Sequence, residues 1–285
     1  MHVRRPAGPL ALAFGSRHVD ITHRAVVMGV LNRTKDSFYE PAATFDLDAF
    51  FARAEQLVAD GADLLDVGGV KAGPGEEVSE EEELDRVVPA IAALTKRFDV
   101  PVSVDTWRAT VAAASYEAGA CVGNDISGFA DPEYLAAAKR AGATVVATHI
   151  RLRPRVADPD PHYDDVTATV TSFLLERRQW AHDAGLGPEQ VILDAGLDLG
   201  KTAAQSLQLL RDSDQLADLG SPLLLSASNK TFLGKALNLE IRDRVSASHA
   251  ATAIGISLGC RIVRVHDVVG TVRVRDALEH LSEAS

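Results

Sequence analysis

The sequence predicts a single-domain α/β protein, a closed (β/α)8 barrel of the TIM type. Three observations carry that prediction. Short β-branched runs alternate with longer, alanine-rich amphipathic stretches along the whole chain, the pattern of parallel strands joined by crossover helices. Eight such units fit into 285 residues, or about 36 residues each, close to what a closed barrel requires. Polar side chains capable of chemistry fall at or just past the carboxyl end of nearly every predicted strand, where a barrel gathers them into one mouth.

The strands are read at residues 25–31, 64–67, 102–104, 121–124, 144–149, 191–194, 223–226 and 261–265. The helices are read at 46–60, 79–98, 107–118, 132–141, 165–184, 203–219, 241–258 and 272–285. Gly61, Gly119, Gly142, Gly185, Gly220 and Gly259 each follow a helical stretch, where a left-handed cap residue is expected. An open, doubly wound sheet would also alternate, but it should begin with a Gly-rich nucleotide turn, and none follows the first strand. Residues 1–23 are expected to form a strand or hairpin covering one end of the barrel, with residues 24–285 forming the barrel itself. The one long irregular stretch, 151–165, carries three prolines; loops of that length in compact domains are more often functional than structural.

The chain carries 29 Lys+Arg against 40 Asp+Glu, a formal net charge of −11. Without a basic run, that balance argues against nucleic acid as a partner. No apolar run reaches the roughly 18 residues a membrane span needs. Arg4-Arg5 and the apolar residues behind them superficially resemble a signal peptide, but Pro6, Gly8, Pro9 and Gly15 break the stretch. Cys121 and Cys260 stand apart with no Cys/His cluster, which argues against zinc and fits a reducing cytoplasm.

The strand ends carry Asn32, Asp66, Asp105, Asn124-Asp125, His149, Asp194, Ser228 with Lys230, and Arg264 with His266, in strand order. Any one of these could simply cap the following helix; eight in phase point to a shared mouth. Asp105, Asn124, Asp194 and Lys230 combine acceptors, an amide and a flexible cation, a set suited to a flat heterocycle with ring N–H and amino donors and one carbonyl. Arg264 and His266 lie on one face and make an anion grip suited to phosphate; the competing reading of Arg264 is a salt bridge with a neighbouring acid. Asn32 opens the polar run Asn32-Arg33-Thr34-Lys35-Asp36-Ser37-Phe38, which could hold a pyrophosphate-bound Mg2+ through oxygen. The run Gly196-Leu197-Asp198-Leu199-Gly200-Lys201-Thr202 invites a P-loop reading, but its glycines are separated by three residues where a Walker A motif needs four. Lys201 is expected instead to begin the sixth helix.

Taken together and in order, these residues resemble the dihydropteroate synthase family of pterin-binding TIM barrels. Met28-Gly29-Val30-Leu31-Asn32 followed by Asp36-Ser37-Phe38 is similar to the signature M-G-I-L-N-x-T-P-D-S-F. Leu65-Asp66-Val67-Gly68-Gly69, Val104-Asp105-Thr106 and Asn124-Asp125-Ile126-Ser127-Gly128 resemble the next three signatures. Asp194-Ala195-Gly196 with Gly200-Lys201, Ser228 with Lys230, and Arg264-Val265-His266-Asp267-Val268 complete the resemblance. It implies pterin contacts at Asp105, Asn124, Asp194 and Lys230, with Asp105 and Lys230 catalytic. It also implies pyrophosphate contacts at Asn32, Arg264 and His266, and Mg2+ held near Asn32. The activity implied joins 6-hydroxymethyl-7,8-dihydropterin diphosphate to para-aminobenzoate in folate synthesis, the step that sulfonamides target. Family members dimerise through the side formed by the last two helices; apolar residues there, such as Ile254 and Ile256, also fit helices packed on their own barrel alone.

Several positions depart from the family pattern. Where the family reads G-G-x-S-T-R-P-G, this chain has Gly68-Gly69-Val70-Lys71-Ala72-Gly73-Pro74-Gly75, so two hydroxyls and a guanidinium are gone. Lys35 replaces a proline, Leu199 an aromatic residue, Asp198 a glycine and Asn229 an arginine. These are the positions that cover diphosphate and enclose the arylamine. The expectation is a dihydropteroate synthase homologue with a retained pterin pocket and very weak or absent synthase activity. The alternatives are an active synthase in which Lys71 and Lys35 restore charge, and a non-catalytic pterin-binding module. A pterin-dependent methyltransferase would need a corrinoid partner domain, which this sequence does not contain. A metal-dependent aldolase or hydrolase would need a ligand set with closed-site spacing, and none is visible.

Overall fold

The structure is a computed structural model that describes residue 4, residue 6, residues 8–33 and residues 47–283. The polar run after Arg33, including Lys35 and Asp36-Ser37-Phe38, therefore lies outside the described residues, as does the expected start of the first helix. A two-stranded antiparallel hairpin, β1 (Ala11–Phe14) and β2 (Arg17–Asp20), precedes eight parallel strands. These are β3 (Val26–Asn32), β4 (Leu64–Gly68), β5 (Val102–Asp105), β6 (Val122–Asp125), β7 (Thr144–Thr148), β8 (Val191–Asp194), β9 (Leu223–Leu225) and β10 (Ile262–Val265). They close in the order β10-β3-β4-β5-β6-β7-β8-β9, the (β/α)8 TIM barrel that the alternation predicts.

The helices between them are α1 (Leu47–Ala59), α2 (Glu80–Arg97), α3 (Ala109–Glu117), α4 (Tyr134–Ala141), α5 (Val166–Asp183), α6 (Ala203–Arg211), α7 (Ser213–Ala217), α8 (Thr231–Leu237), α9 (Val245–Leu258) and α10 (Val268–Glu283). Their ends follow ordinary helix chemistry. Ser79 caps α2 by accepting from the Glu82 backbone, and four glutamates fill the first turn, where the helix dipole favours negative charge. Gly259 takes φ 114° to end α9 and turn the chain into β10, a conformation that costs glycine nothing. No helix among the described residues is long and apolar enough to cross a membrane.

Three local expectations need correction. The single helix expected over 203–219 is broken into α6 and α7 at Asp212, whose carboxylate accepts from Thr167 on α5 and Gln208 on α6, each at 2.7 Å. The helix α8 was not expected; its first turn is capped from a distant loop by the Asp198 carboxylate, which accepts from Thr231 and Phe232 N–H. The last helix begins at Val268 rather than 272, because Asp267 Oδ1 accepts from Gly270 N–H at 3.1 Å and secures an early first turn.

The strands sort side chains by parity. Val26, Met28, Leu64, Val122, Val146, Ile192, Leu224 and Ile262 point inward at the amino-terminal half of the barrel, and Leu12, Phe14 and Ile21 of the hairpin segment pack against them. This plug, with Leu12, Ile21, Met28 and Leu64 all fully buried, closes one end in hydrocarbon. The other end is left to polar residues two positions further along β4, β6, β7, β8 and β10, and four positions past Met28 on β3. Replacing Leu12→Ala is expected to lower unfolding free energy by about 2–5 kcal/mol with no effect on ligand binding at the opposite mouth. Equilibrium denaturation alongside calorimetry checks both halves of that statement.

Candidate active site

Continuing the inward phase along each strand brings Asn32, Asp66, Gly68, Asp105, Asn124, Thr148, Asp194 and Arg264 to the carboxyl-terminal mouth, since each lies an even number of residues beyond a plug residue on its own strand or in register with a neighbouring strand's inward row. Asn32 pairs in register with Gly68, Gly68 with Asp105, and Asp105 with Asn124. Gly68 keeps this row open: a Cβ there would sit 3.4 Å from Asn32 Oδ1 and 3.5 Å from Asp105 Cβ. Gly69 next to it lets helix α2 approach, because a Cβ would meet Val87 at 2.8 Å.

Arg264 lies at the centre. Its Nε donates to Asp66 Oδ2 at 2.6 Å and its Nη2 to Asp105 Oδ2 at 2.7 Å, while Asn124 Nδ2 donates to the same Asp66 oxygen at 3.1 Å. The salt-bridge reading of Arg264 is thus realised in this structure, and the guanidinium sits among carboxylates in the mouth. Asp66 is the residue that sequence reasoning placed at a strand end but left out of the binding set; its inward phase with Leu64 was the available signal.

Burial and charge compete here. Burial pushes the Asp105 carboxyl up to about 7 against the pull of Arg264, with repulsion from Asp66, Glu83 and Asp125 adding to the rise. Burial works against the charge on Arg264 as well, but Asp66 and Asp105 more than compensate and hold it protonated. Asp194 is raised by burial and drawn back by Lys230; Lys230 is lowered by burial and supported by Asp194. Asp194 Oδ1 accepts from Gly196 N–H at 2.8 Å, and Lys230 Nζ donates to Leu197 O at 2.6 Å. His266 lies on the other side of Arg264, its Nδ1 3.0 Å from Ser228 Oγ, and burial lowers it to about 4. Asn32, Asp105, Asn124, Asp194, Lys230, Arg264 and His266 all stand at the same end of the barrel.

The surrounding loops are tied to one another. Gly196 takes φ 65°, and a Cβ there would fall 1.9 Å from the His149 carbonyl, so the β7 and β8 loops touch backbone to backbone. Lys201 does not begin a helix as expected; it precedes the Thr202 cap of α6 and turns inward. Its Nζ donates to Gly196 O at 2.8 Å and Leu199 O at 3.0 Å, and lies 2.9 Å from His149 Nδ1. That ammonium is spent on loop carbonyls, consistent with rejection of a P-loop. Arg155, in the 151–165 stretch, donates its backbone N–H to Ala72 O at 3.0 Å and its guanidinium to Lys71 O and Glu76 O. Tyr163 donates to Gly200 O at 2.7 Å. A cavity of about 150 Å³ lies among these loops, lined by Ala72, Gly73, Pro74, Arg155, Leu199 and Lys201 among others.

Carboxylates, an amide and two cations gathered at the carboxyl-terminal mouth stand where (β/α)8 barrels carry their active sites, and similarity to known proteins gives the chain a family. Residues 28–266 match the pterin binding enzyme family, and the chain belongs to it. Its relatives are dihydropteroate synthases. The "Dihydropteroate synthase" of Clostridium beijerinckii is 38% identical over 265 residues, covering 92% of this chain and 96% of that protein. The "Inactive dihydropteroate synthase 2" of Mycobacterium leprae is 41% identical over 257 residues, 88% of each chain. The Yersinia pestis dihydropteroate synthase structure with a sulfonamide drug complex superposes with a TM-score of 0.92 at 37% identity, covering 97% of this chain and all of that one.

Burial lowers His149 to about 3, helped by the Lys201 charge beside it. A histidine held neutral in the folded state contributes stability that is present above the unfolded pKa near 6.5 and is lost as pH falls toward 3. The His149→Gln variant should therefore lose its stability less steeply between those limits, by up to one proton or about 1.4 kcal/mol per pH unit. Denaturation midpoints measured across pH 4–6 check the slope; an unchanged slope contradicts the neutral assignment.

Proposed function

We propose that this chain binds a pterin in the barrel mouth and that its dihydropteroate synthase turnover is strongly reduced. The observation that carries the reading is a contrast. The heterocycle set Asp105, Asn124, Asp194 and Lys230 stands at one mouth with Arg264 among its carboxylates, while the β4 loop above it has Lys71, Ala72 and Gly73 where the family signature reads Ser, Thr and Arg, and its carbonyls are held by Arg155.

In the reaction the relatives' name implies, the bond between the pterin methylene carbon and the diphosphate oxygen breaks. The diphosphate leaves with the electron pair, and the arylamine nitrogen attacks the resulting cation and sheds a proton. The protein's task is electrostatic: to hold a departing polyanion and a transient cation at once. Asp105 and Asp194 are the acceptors for ring N–H and amino donors, Lys230 the donor to the ring carbonyl, and Asp105 the carboxylate that favours the cation. Arg264, His266 and Asn32 face the diphosphate in this reading.

No group of three His, Cys, Asp or Glu among the described residues could hold a metal alone. Mg2+ fits only as an ion carried on the diphosphate, with the amide oxygen of Asn32 as its protein ligand, where it would screen the leaving charge. The second substrate class is an amine such as para-aminobenzoate, and a cytoplasmic location accords with folate-type substrates.

Losing one transition-state anion contact of ~3 kcal/mol lowers the rate about a hundredfold. A lysine at 71 supplies charge but not a planar two-pronged clamp. The expected turnover with pterin diphosphate and para-aminobenzoate is therefore below about 0.01 s⁻¹, against about 1 s⁻¹ or more for an ordinary enzyme. Titrating pterin alone should still show binding. A Cβ at position 73 would meet nothing within 4 Å, so the backbone there admits a side chain, and the combined substitution Lys71→Ser, Ala72→Thr and Gly73→Arg should raise turnover at least tenfold. Ordinary turnover by the unaltered protein contradicts the reading and favours a working synthase; failure to bind pterin contradicts it at its base.

A further inference from the structure

Asp66 has no part in the reading above, yet it sits beneath two residues that do. It is fully buried, at 0% exposure, and faces inward two residues beyond Leu64. Its Oδ2 takes both donors, Arg264 Nε at 2.6 Å and Asn124 Nδ2 at 3.1 Å. Its Oδ1 is buried with no hydrogen-bond partner among the described residues. A buried carboxylate with half its capacity unused is a costly choice for a structural position, where an apolar pair of the same shape would often serve as well.

An asparagine amide is reversible: it can turn either its NH2 or its carbonyl toward a neighbour. Against an ionised carboxylate, which only accepts, a single orientation works. With one Nδ2–H committed to Asp66 the amide cannot turn over, so its Oδ1 acceptor is held on the side away from Asp66, beside the remaining N–H. Asn124 is itself 4% exposed, so water has little access to soften the wrong orientation. The same carboxylate fixes the Nε side of Arg264 and so sets the plane in which that guanidinium reaches Asp105.

We propose that Asp66 is a positioning residue that locks the amide polarity of Asn124, so that the pocket shows an acceptor at this point and selects a heterocycle with a donor N–H facing it. This rests on the pterin reading of the mouth. It differs from a plain counter-ion role, in which Asp66 matters only through Arg264.

Calorimetry on the full chain separates the two, with 6-hydroxymethylpterin and inorganic pyrophosphate as separate probes. Asp66→Asn keeps the volume but lets either amide end face Asn124, and should weaken pterin binding about tenfold while changing pyrophosphate binding by less than threefold. In an Asn124→Ala background the Asp66→Asn substitution should weaken pterin binding by less than threefold, the part that passes through Arg264. An additive effect in that background, or an Asp66→Asn protein that binds pterin as tightly as wild type, overturns the proposal. If Asp66→Asn does not fold, nitrogen NMR of the wild-type Asn124 side chain decides. An NH2 signal little moved by pterin supports the lock, and a large shift on binding shows the amide turned toward ligand and overturns it. Wild-type protein that binds no pterin overturns the functional reading itself, a distinct result.

Discussion

The mouth depends on one constraint: several buried carboxylates must share too few cations. Asp66, Asp105 and Asp194 all face inward at the same end of one barrel, with Arg264 in direct contact with the first two and Lys230 close to the third. A lone buried ion is strongly disfavoured, so the positions of these side chains are coupled. Moving any one leaves another uncompensated. That coupling fixes the donors and acceptors of the mouth relative to one another, while burial, with repulsion from Asp66, Glu83 and Asp125 added to it, makes Asp105 hold its proton unusually tightly against the pull of Arg264.

The remainder of the molecule serves this arrangement. The hydrocarbon plug built from the hairpin and the first inward layer seals the far end, so the inward-facing charged groups gather at the opposite mouth. Glycines at 68 and 69 make room for the row between β3 and β5 and for helix α2 behind it. Above the mouth, Lys201, Arg155 and Tyr163 are spent on backbone carbonyls of neighbouring loops. They give the rim its shape. Among the described residues, the departures Ala72, Gly73, Asp198 and Leu199 line the rim cavity, while Asp105, Asn124, Asp194 and Lys230 beneath are the types the family signatures carry.

The strand order and the closed barrel were legible because a parallel barrel writes itself as repeated β-branched runs, and the mouth because a period of two carries Asn124, Asp194 and Arg264 inward from a hydrophobic residue two positions earlier, with Asp105 following Ser103 in the same phase. What was not legible depended on contacts between distant segments. Helix α8 owes its start to Asp198 from another loop, and the break at Asp212 to a threonine on α5. Lys201 looked like a helix start because nothing local reveals the carbonyls it turns toward. Asp66 stood in view at a strand end, but its importance lies in Arg264, which comes 198 residues later and meets it only across the closed barrel.

The most direct test of a preformed acceptor-rich mouth is ligand discrimination by the unaltered protein. Pterin and lumazine differ at C2 and N1: pterin has an exocyclic amino donor and an acceptor ring nitrogen where lumazine has a carbonyl acceptor and an N1–H. A floor of carboxylates and a locked amide oxygen should bind pterin at least tenfold more tightly than lumazine when each is titrated by calorimetry at the same pH and salt. Equal affinities, or a preference for lumazine, would contradict the account.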